Sequence, residues 1–87
     1  MMNVIMITAI WCPSCIIMRS RYDELLKHYN ITKIEYDFDD DTDLIAPYKI
    51  GSILPVVIFM KDNEEILRII GEKSKKELTK LLEGLYL

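Results

Sequence analysis

The sequence predicts an α/β fold, with elements in the order βαβαββα building a mixed four-stranded sheet with helices on both faces. Three patterns carry that expectation. Two near-continuous apolar runs, Asn3 to Ile10 and Pro55 to Met60, have the composition of strands buried on both faces. Between them the period changes. Cys15, Met18, Tyr22, Leu25, Leu26 and Tyr29 recur at three- and four-residue steps, the spacing of one helical face. Towards the end, Ser74 and Glu77 form a Ser-x-x-Glu capping box that opens a run with Leu78, Leu81, Leu82 and Leu85 on one face.

The elements follow in order. After the first strand, the helix carries Arg19, Arg21, Asp23, Glu24 and Lys27 mostly opposite its apolar face, and Asn30 closes it in the left-handed conformation that Asn tolerates. Ile31 to Phe38 alternates apolar and polar residues and reads as a second strand. A short helix is expected from about Thr42 to Lys49, disturbed by Pro47. Pro55 to Met60 is the third strand. The turn "KDNE" follows, where Asn63 suits a positive φ, and Glu65 to Ile70 is the fourth strand, ended by Gly71. Two parallel crossovers followed by a hairpin are expected from this order. Chemistry in such sheets gathers at the carboxyl ends of the strands, where the first helix begins.

Composition narrows the function. At 87 residues the chain fits one domain over 1–87, near the lower end of what folds without staples. A net charge of -3 and a pI near 5.0 leave no basic stripe for a phosphate backbone, so nucleic acid is not an expected partner. The opening "MMNVIMITAIW" lacks a positive n-region and a cleavage site, and is too short to span a bilayer. No membrane partner is expected, and a cytoplasmic monomer is the default reading. Thiols there stay largely reduced, which disfavours a structural disulfide.

Residues 11–15, "WCPSC", hold both cysteines of the chain. They admit three readings: a redox pair, half of a metal site, or two core residues. Cys12 falls at the expected N-cap of the first helix, with Pro13 at the first helical position, where its missing N–H costs nothing. Unpaired amides and the helix dipole there favour a thiolate. Cys15 lies one turn further in and is less exposed, so Cys12 attacks and Cys15 resolves; Ser14 has no obligatory role. A metal site needs three or four protein ligands, and His28, the one histidine, is about 20 Å along the helix. Only a dimer sharing two cysteine pairs could complete it. Trp11 is expected to line a contact surface beside the reacting sulfur. Asp37, Asp39, Asp41 and Asp43 alternate like a Ca²⁺ loop, but Thr42 and Tyr48 stand where Gly and Glu are required. That run reads instead as Asp41 or Thr42 capping the second helix, with acids at its positive end. Tyr48 and the remaining methionines read as packing.

The segments "AIWCPSC", "DFDDDTDLIAPYKIGSILPVVIF" and "FMKDNEEILRIIGEKSKKEL" together resemble the thioredoxin family over nearly the whole chain, without the family's extra N-terminal strand and helix. The resemblance implies a minimal thioredoxin fold of glutaredoxin-like size. It implies a thiol–disulfide oxidoreductase, with Cys12 and Cys15 catalytic, protein disulfides as substrates and no cofactor. Electrons would come from a thioredoxin-reductase-like enzyme or from glutathione. It implies a cis bond before Pro55, facing the cysteine pair, and backbone groups of Leu54 offered to an extended substrate. Trp11, Pro13, Leu54 and Pro55 are the implied substrate-binding residues, with bulky Leu54 screening substrates. Tyr48 to Pro55 is one residue longer than the family's usual spacing. Two departures stand out: the family's buried Asp and its neighbouring Lys match Met6 and Glu35, so Cys15 must be deprotonated by water or another group. Glutathione binders of the glutaredoxin type carry a Gly-Gly-x-x-Asp turn where this chain has "GEKSK". Lys73, Lys75 and Lys76 there could attract glutathione carboxylates, although such a cluster is more often a solvated surface. A glutaredoxin-like reductase, and a non-enzymatic metal-binding dimer, are the alternatives.

Overall fold

A computed structural model describes residues 2–86. Its elements are β1 (Met2–Thr8), α1 (Pro13–His28), β2 (Thr32–Asp37), α2 (Thr42–Ile45), β3 (Val56–Lys61), β4 (Glu64–Ile70) and α3 (Lys75–Tyr86), with a 3-10 turn at Ala46–Tyr48 after α2. One four-stranded sheet forms in the order β2-β1-β3-β4. The mixed sheet and the element order are those expected.

The expectation of two parallel crossovers is corrected. β1 and β2 are parallel, but β3 runs antiparallel to β1. β2 ends beside the end of β1, Asp37 pairing with Thr8, and β3 begins at Val56, which pairs with Ile7 on the other side of β1. The chain leaves and re-enters the sheet at the same end, so β3 runs back along β1. The start of β3 thus lies beside the end of β1.

Period-2 alternation divides the core between two faces. On one, Val4, Met6, Val57, Phe59 and Ile69 pack under Met18, Tyr22, Leu25 and Leu26 of α1 and Leu78 and Leu82 of α3. Leu81, expected on that face, is 37% exposed because it lies at the rim of the helix stripe. On the other face Ile5, Ile7, Val56 and Ile58 form a cluster with Ile45, Leu54, Ala9 and both cysteines. Arg21 ties α1 to the approach of α3, its guanidinium donating to the Lys73 carbonyl at 2.7 Å, and Lys75 pairs with Glu24 at 2.8 Å.

The predicted punctuation is present. Asn30 has φ 56°, and the β3–β4 turn has positive φ at both Asp62 (51°) and Asn63 (68°), the type I′ pattern. Gly71 closes β4 at φ +82°. In the capping box, the Glu77 amide donates to Ser74 Oγ at 3.1 Å, and the Ser74 amide donates to Glu77 Oε1 at 3.3 Å. The acidic run departs from its expected role. Asp41 precedes α2 but does not cap it; its carboxylate accepts the Asp37 amide at 2.8 Å. Asp37 in turn accepts the Asp39 and Asp40 amides at 2.9 Å each. The carboxylates fold the turn onto itself, because amides two to four residues away are nearer than the helix end.

Candidate active site

β1 ends at Thr8, whose carbonyl accepts the Phe38 amide at 2.8 Å, and a tight turn follows in which the Cys12 amide donates to Ala9 O at 3.1 Å. That turn delivers Cys12 to the N-cap of α1 in an extended conformation (φ -101°, ψ 103°), with Pro13 opening the helix. The Cys15 amide, which also lies 3.2 Å from the Cys12 carbonyl, donates to Cys12 Sγ at 3.2 Å. The sulfur thus occupies the place of a capping oxygen and satisfies an amide at the positive end of the helix.

Both thiols are free, Cys12 being 6% exposed and Cys15 1%. Burial, reinforced by hydrogen bonding with Cys12, pushes the Cys15 thiol up to about 12; the Ala9 backbone and the Arg19 charge act against that rise. Cys15 is therefore a protonated, enclosed thiol, and Cys12 is the slightly more exposed of the two.

The Leu54–Pro55 bond is cis, and Pro55 is buried. Leu54 and Val56 on either side of it join the apolar cluster that contains both cysteines. The antiparallel entry of β3 brings this segment to the end of β1. Leu54 is only 7% exposed, so the bulk it was expected to turn toward substrates points inward; its neighbour Ile53, 61% exposed, faces solvent instead. Trp11 is 58% exposed, its indole N–H donates to Asp39 at 2.6 Å, and its ring meets Phe38 edge-on at 6.2 Å. With exposed Pro13, Ile10 and Ile16, it surrounds the cysteine pair with apolar surface.

A polar network beside the pair escaped the sequence reading. Arg19, one turn beyond Cys15, grips Glu35 with two nitrogens, Nε at 3.1 Å and an η nitrogen at 2.7 Å. Thr8 Oγ1 donates to the same carboxylate at 3.1 Å, and Lys33 Nζ, which also pairs with Asp23, lies 3.5 Å from it. Burial works to raise the Glu35 carboxyl, but Arg19, Thr8 and Lys33 outweigh it and hold the group below the usual carboxylate range. Thr8, Arg19 and Glu35 line a cavity of about 450 Å³ with Ala9, Ile16, Asp37 and Asp41. The signal was the i, i+4 spacing of Cys15 and Arg19, which places the two on one helix face.

His28 lies at the far end of α1 from Cys12. Among the described residues no three His, Cys, Asp or Glu side chains come together as a metal-ligand group. Among the same residues no helix is long and apolar enough to cross a membrane.

A parallel βαβ unit joined to an antiparallel hairpin, with a Cys-x-x-Cys pair capping the first helix beside a cis proline, defines a dithiol protein of the thioredoxin-fold class. A family model described as Thioredoxin matches residues 2–84, and the chain belongs to that family. It is 34% identical over 75 residues to a thioredoxin of Chlamydia pneumoniae, covering 83% of this chain and 71% of the relative. Thioredoxin H5 of Oryza sativa subsp. japonica is 36% identical over 69 residues, covering 78% of this chain and 50% of that protein. The chain thus spans about half the length of several curated relatives it matches. Among solved structures, oxidized thioredoxin O2 from Arabidopsis thaliana superposes with a TM-score of 0.82 at 26% identity, over 99% of this chain and 76% of that one.

Proposed function

We propose that this chain is a small thiol–disulfide oxidoreductase acting on protein disulfides. The Cys12 thiolate attacks one sulfur of a substrate disulfide; an S–S bond forms to Cys12 and the other substrate sulfur leaves as a thiolate. Cys15 then loses its proton and attacks the Cys12 sulfur. The Cys12–Cys15 disulfide forms, the second substrate sulfur departs, and both substrate thiolates take up protons. Two electrons pass from the protein dithiol to the substrate. The observation that carries this reading is the Cys15 amide donating to Cys12 Sγ at the N-terminus of α1, which seats Cys12 as the attacking sulfur while Cys15 stays a buried thiol. Trp11, Pro13, Ile53 and the backbone at Leu54–Pro55 supply the docking surface. The chain acts as a cytoplasmic monomer, recharged by a thioredoxin-reductase-like enzyme or by glutathione.

The roles are tested by trapping. Cys15→Ser accumulates a covalent mixed disulfide with a disulfide-containing protein, resolved by thiol reductant, while Cys12→Ser accumulates none. Equal trapping by the two variants contradicts the assignment. Recharging is tested by offering the oxidised chain NADPH with either thioredoxin reductase or glutathione plus its reductase. Reduction by the first alone supports the thioredoxin-like reading, and by the second alone the glutaredoxin-like one.

A further inference from the structure

Resting on that dithiol reading, we propose that the Arg19–Glu35 ion pair, steadied by Thr8, is a positioning device that governs release of the Cys15 proton. Arg19 follows Cys15 by four residues on α1, so the two share a helix face and their Cβ atoms stand about 6 Å apart. The guanidinium is not free to swing. Two of its nitrogens are held by Glu35, whose carboxylate is anchored from the other side by the Thr8 hydroxyl. Thr8 is 4% exposed and lies next to Ala9, whose backbone faces Cys15, so the anchor is part of the turn that seats the cysteines. Thr8, Ala9, Arg19 and Glu35 line one cavity of about 450 Å³, so the ion pair and the turn that seats the cysteines share a polar surface, and the thiol proton leaves to solvent.

The charges in play come from each packed element. On α1 it is Arg19, which favours ionisation of Cys15; Cys12 at the N-cap opposes it only until its sulfur enters the mixed disulfide. From β2, Glu35 pairs with Arg19, Lys33 lies beside Glu35, and Asp37 lines the same cavity together with Asp41, which precedes α2. Glu35 therefore has a double effect: it fixes the place of Arg19 and offsets part of its charge.

This gives the two partners of one ion pair opposite effects. Losing Arg19 removes the cation that favours the Cys15 thiolate. Replacing Glu35 by Gln removes the charge that offsets this cation but keeps an amide oxygen to hold the guanidinium in place. A purely structural bridge would instead make both losses harmful alike, because either one breaks the same contact.

The test is a single turnover with dithionitrobenzoate on the fully reduced chain. Cys12 attacks the reagent and releases one thionitrobenzoate. Cys15 then closes the ring and releases the second, so the later phase reads the Cys15 thiolate directly. At a fixed, mildly alkaline pH, Arg19→Gln should slow the second phase about three- to tenfold and Glu35→Gln should accelerate it by a similar factor, as expected for one charge at this range partly screened by solvent. Arg19→Lys should recover much of the rate, and far-UV circular dichroism checks that each variant is folded. Equal rates in all variants, or slowing by both neutral substitutions, overturns the proposal. Absence of any second phase in the unaltered chain overturns the dithiol reading itself, and is distinguished by appearing before a substitution is made.

Discussion

Replacing Tyr22 by Phe should stabilise the fold. Tyr22 is fully buried on the sheet-facing side of α1, and its hydroxyl has no hydrogen-bond partner among the described residues. An unsatisfied buried hydroxyl costs about 1–3 kcal/mol relative to water. Removing the oxygen leaves a void of roughly 10 Å³, worth about 0.2 kcal/mol at the usual cavity rate. The net gain is then about 1–3 kcal/mol, at about 4–8 °C in Tm per kcal/mol for a domain of this size. Urea unfolding followed by circular dichroism measures it as a higher midpoint at unchanged slope. The pH dependence adds a second signature. Burial raises the Tyr22 phenol above its unfolded value near 10, so the neutral phenol is favoured in the folded chain. Stability linked to that group is complete below about pH 10 and is lost as pH climbs towards the folded value. The Phe variant lacks this loss, while the other tyrosines are common to both chains and cancel. Its advantage should widen above about pH 10. A variant less stable than the parent at neutral pH, or a gap that stays constant into alkali, would refute the reasoning.

Two further outcomes follow from the site and its frame. Because burial, the largest cause of the raised Cys15 thiol at about 12, persists once Cys12 is in a mixed disulfide, ring closure should speed up about tenfold per pH unit across neutral and mildly alkaline conditions; a rate that levels off below pH 9 contradicts this. Ser74→Ala removes one side of the capping box and should cost about 1 kcal/mol in denaturant unfolding while leaving dithionitrobenzoate kinetics at Cys12 unchanged.

The sequence was most legible where one residue type has one physical answer. Asn30, Asn63 and Gly71 take the left-handed conformations their types permit, and Ser74 with Glu77 forms the cap that their spacing implies. Cys12 at the N-cap followed from the change of hydrophobic period and from Pro13. The direction of β3 was not legible, because apolar runs state where strands are and not which way they run. Periodicity places Arg19 mostly opposite the apolar face of its helix, but its partner Glu35 lies sixteen residues away on another element, about which one helix carries no information. Bulk alone suggests that Leu54 screens substrates, yet it is 7% exposed and Ile53 is 61% exposed.

The exchange at Met6 connects stability to chemistry. Met6 is fully buried between the sheet and α1, and in the β1–β2 register its partner is Glu35. An ionised carboxylate at position 6 would cost several kcal/mol to desolvate, whereas a buried Met side chain contributes about 1.5–3 kcal/mol. For an 87-residue chain, which buries a smaller fraction of its surface than a larger domain does, that difference weighs heavily against net stabilities of a few kcal/mol. The negative charge stands one strand outward, on the edge strand β2, where Arg19, Thr8 and Lys33 satisfy it with its side chain still 30% exposed. Core packing at Met6 is thereby separated from the electrostatics at Arg19 and Glu35. A substitution at Met6 should act mainly on stability and one at Arg19 or Glu35 mainly on the closing step, a division that a single buried acid could not provide.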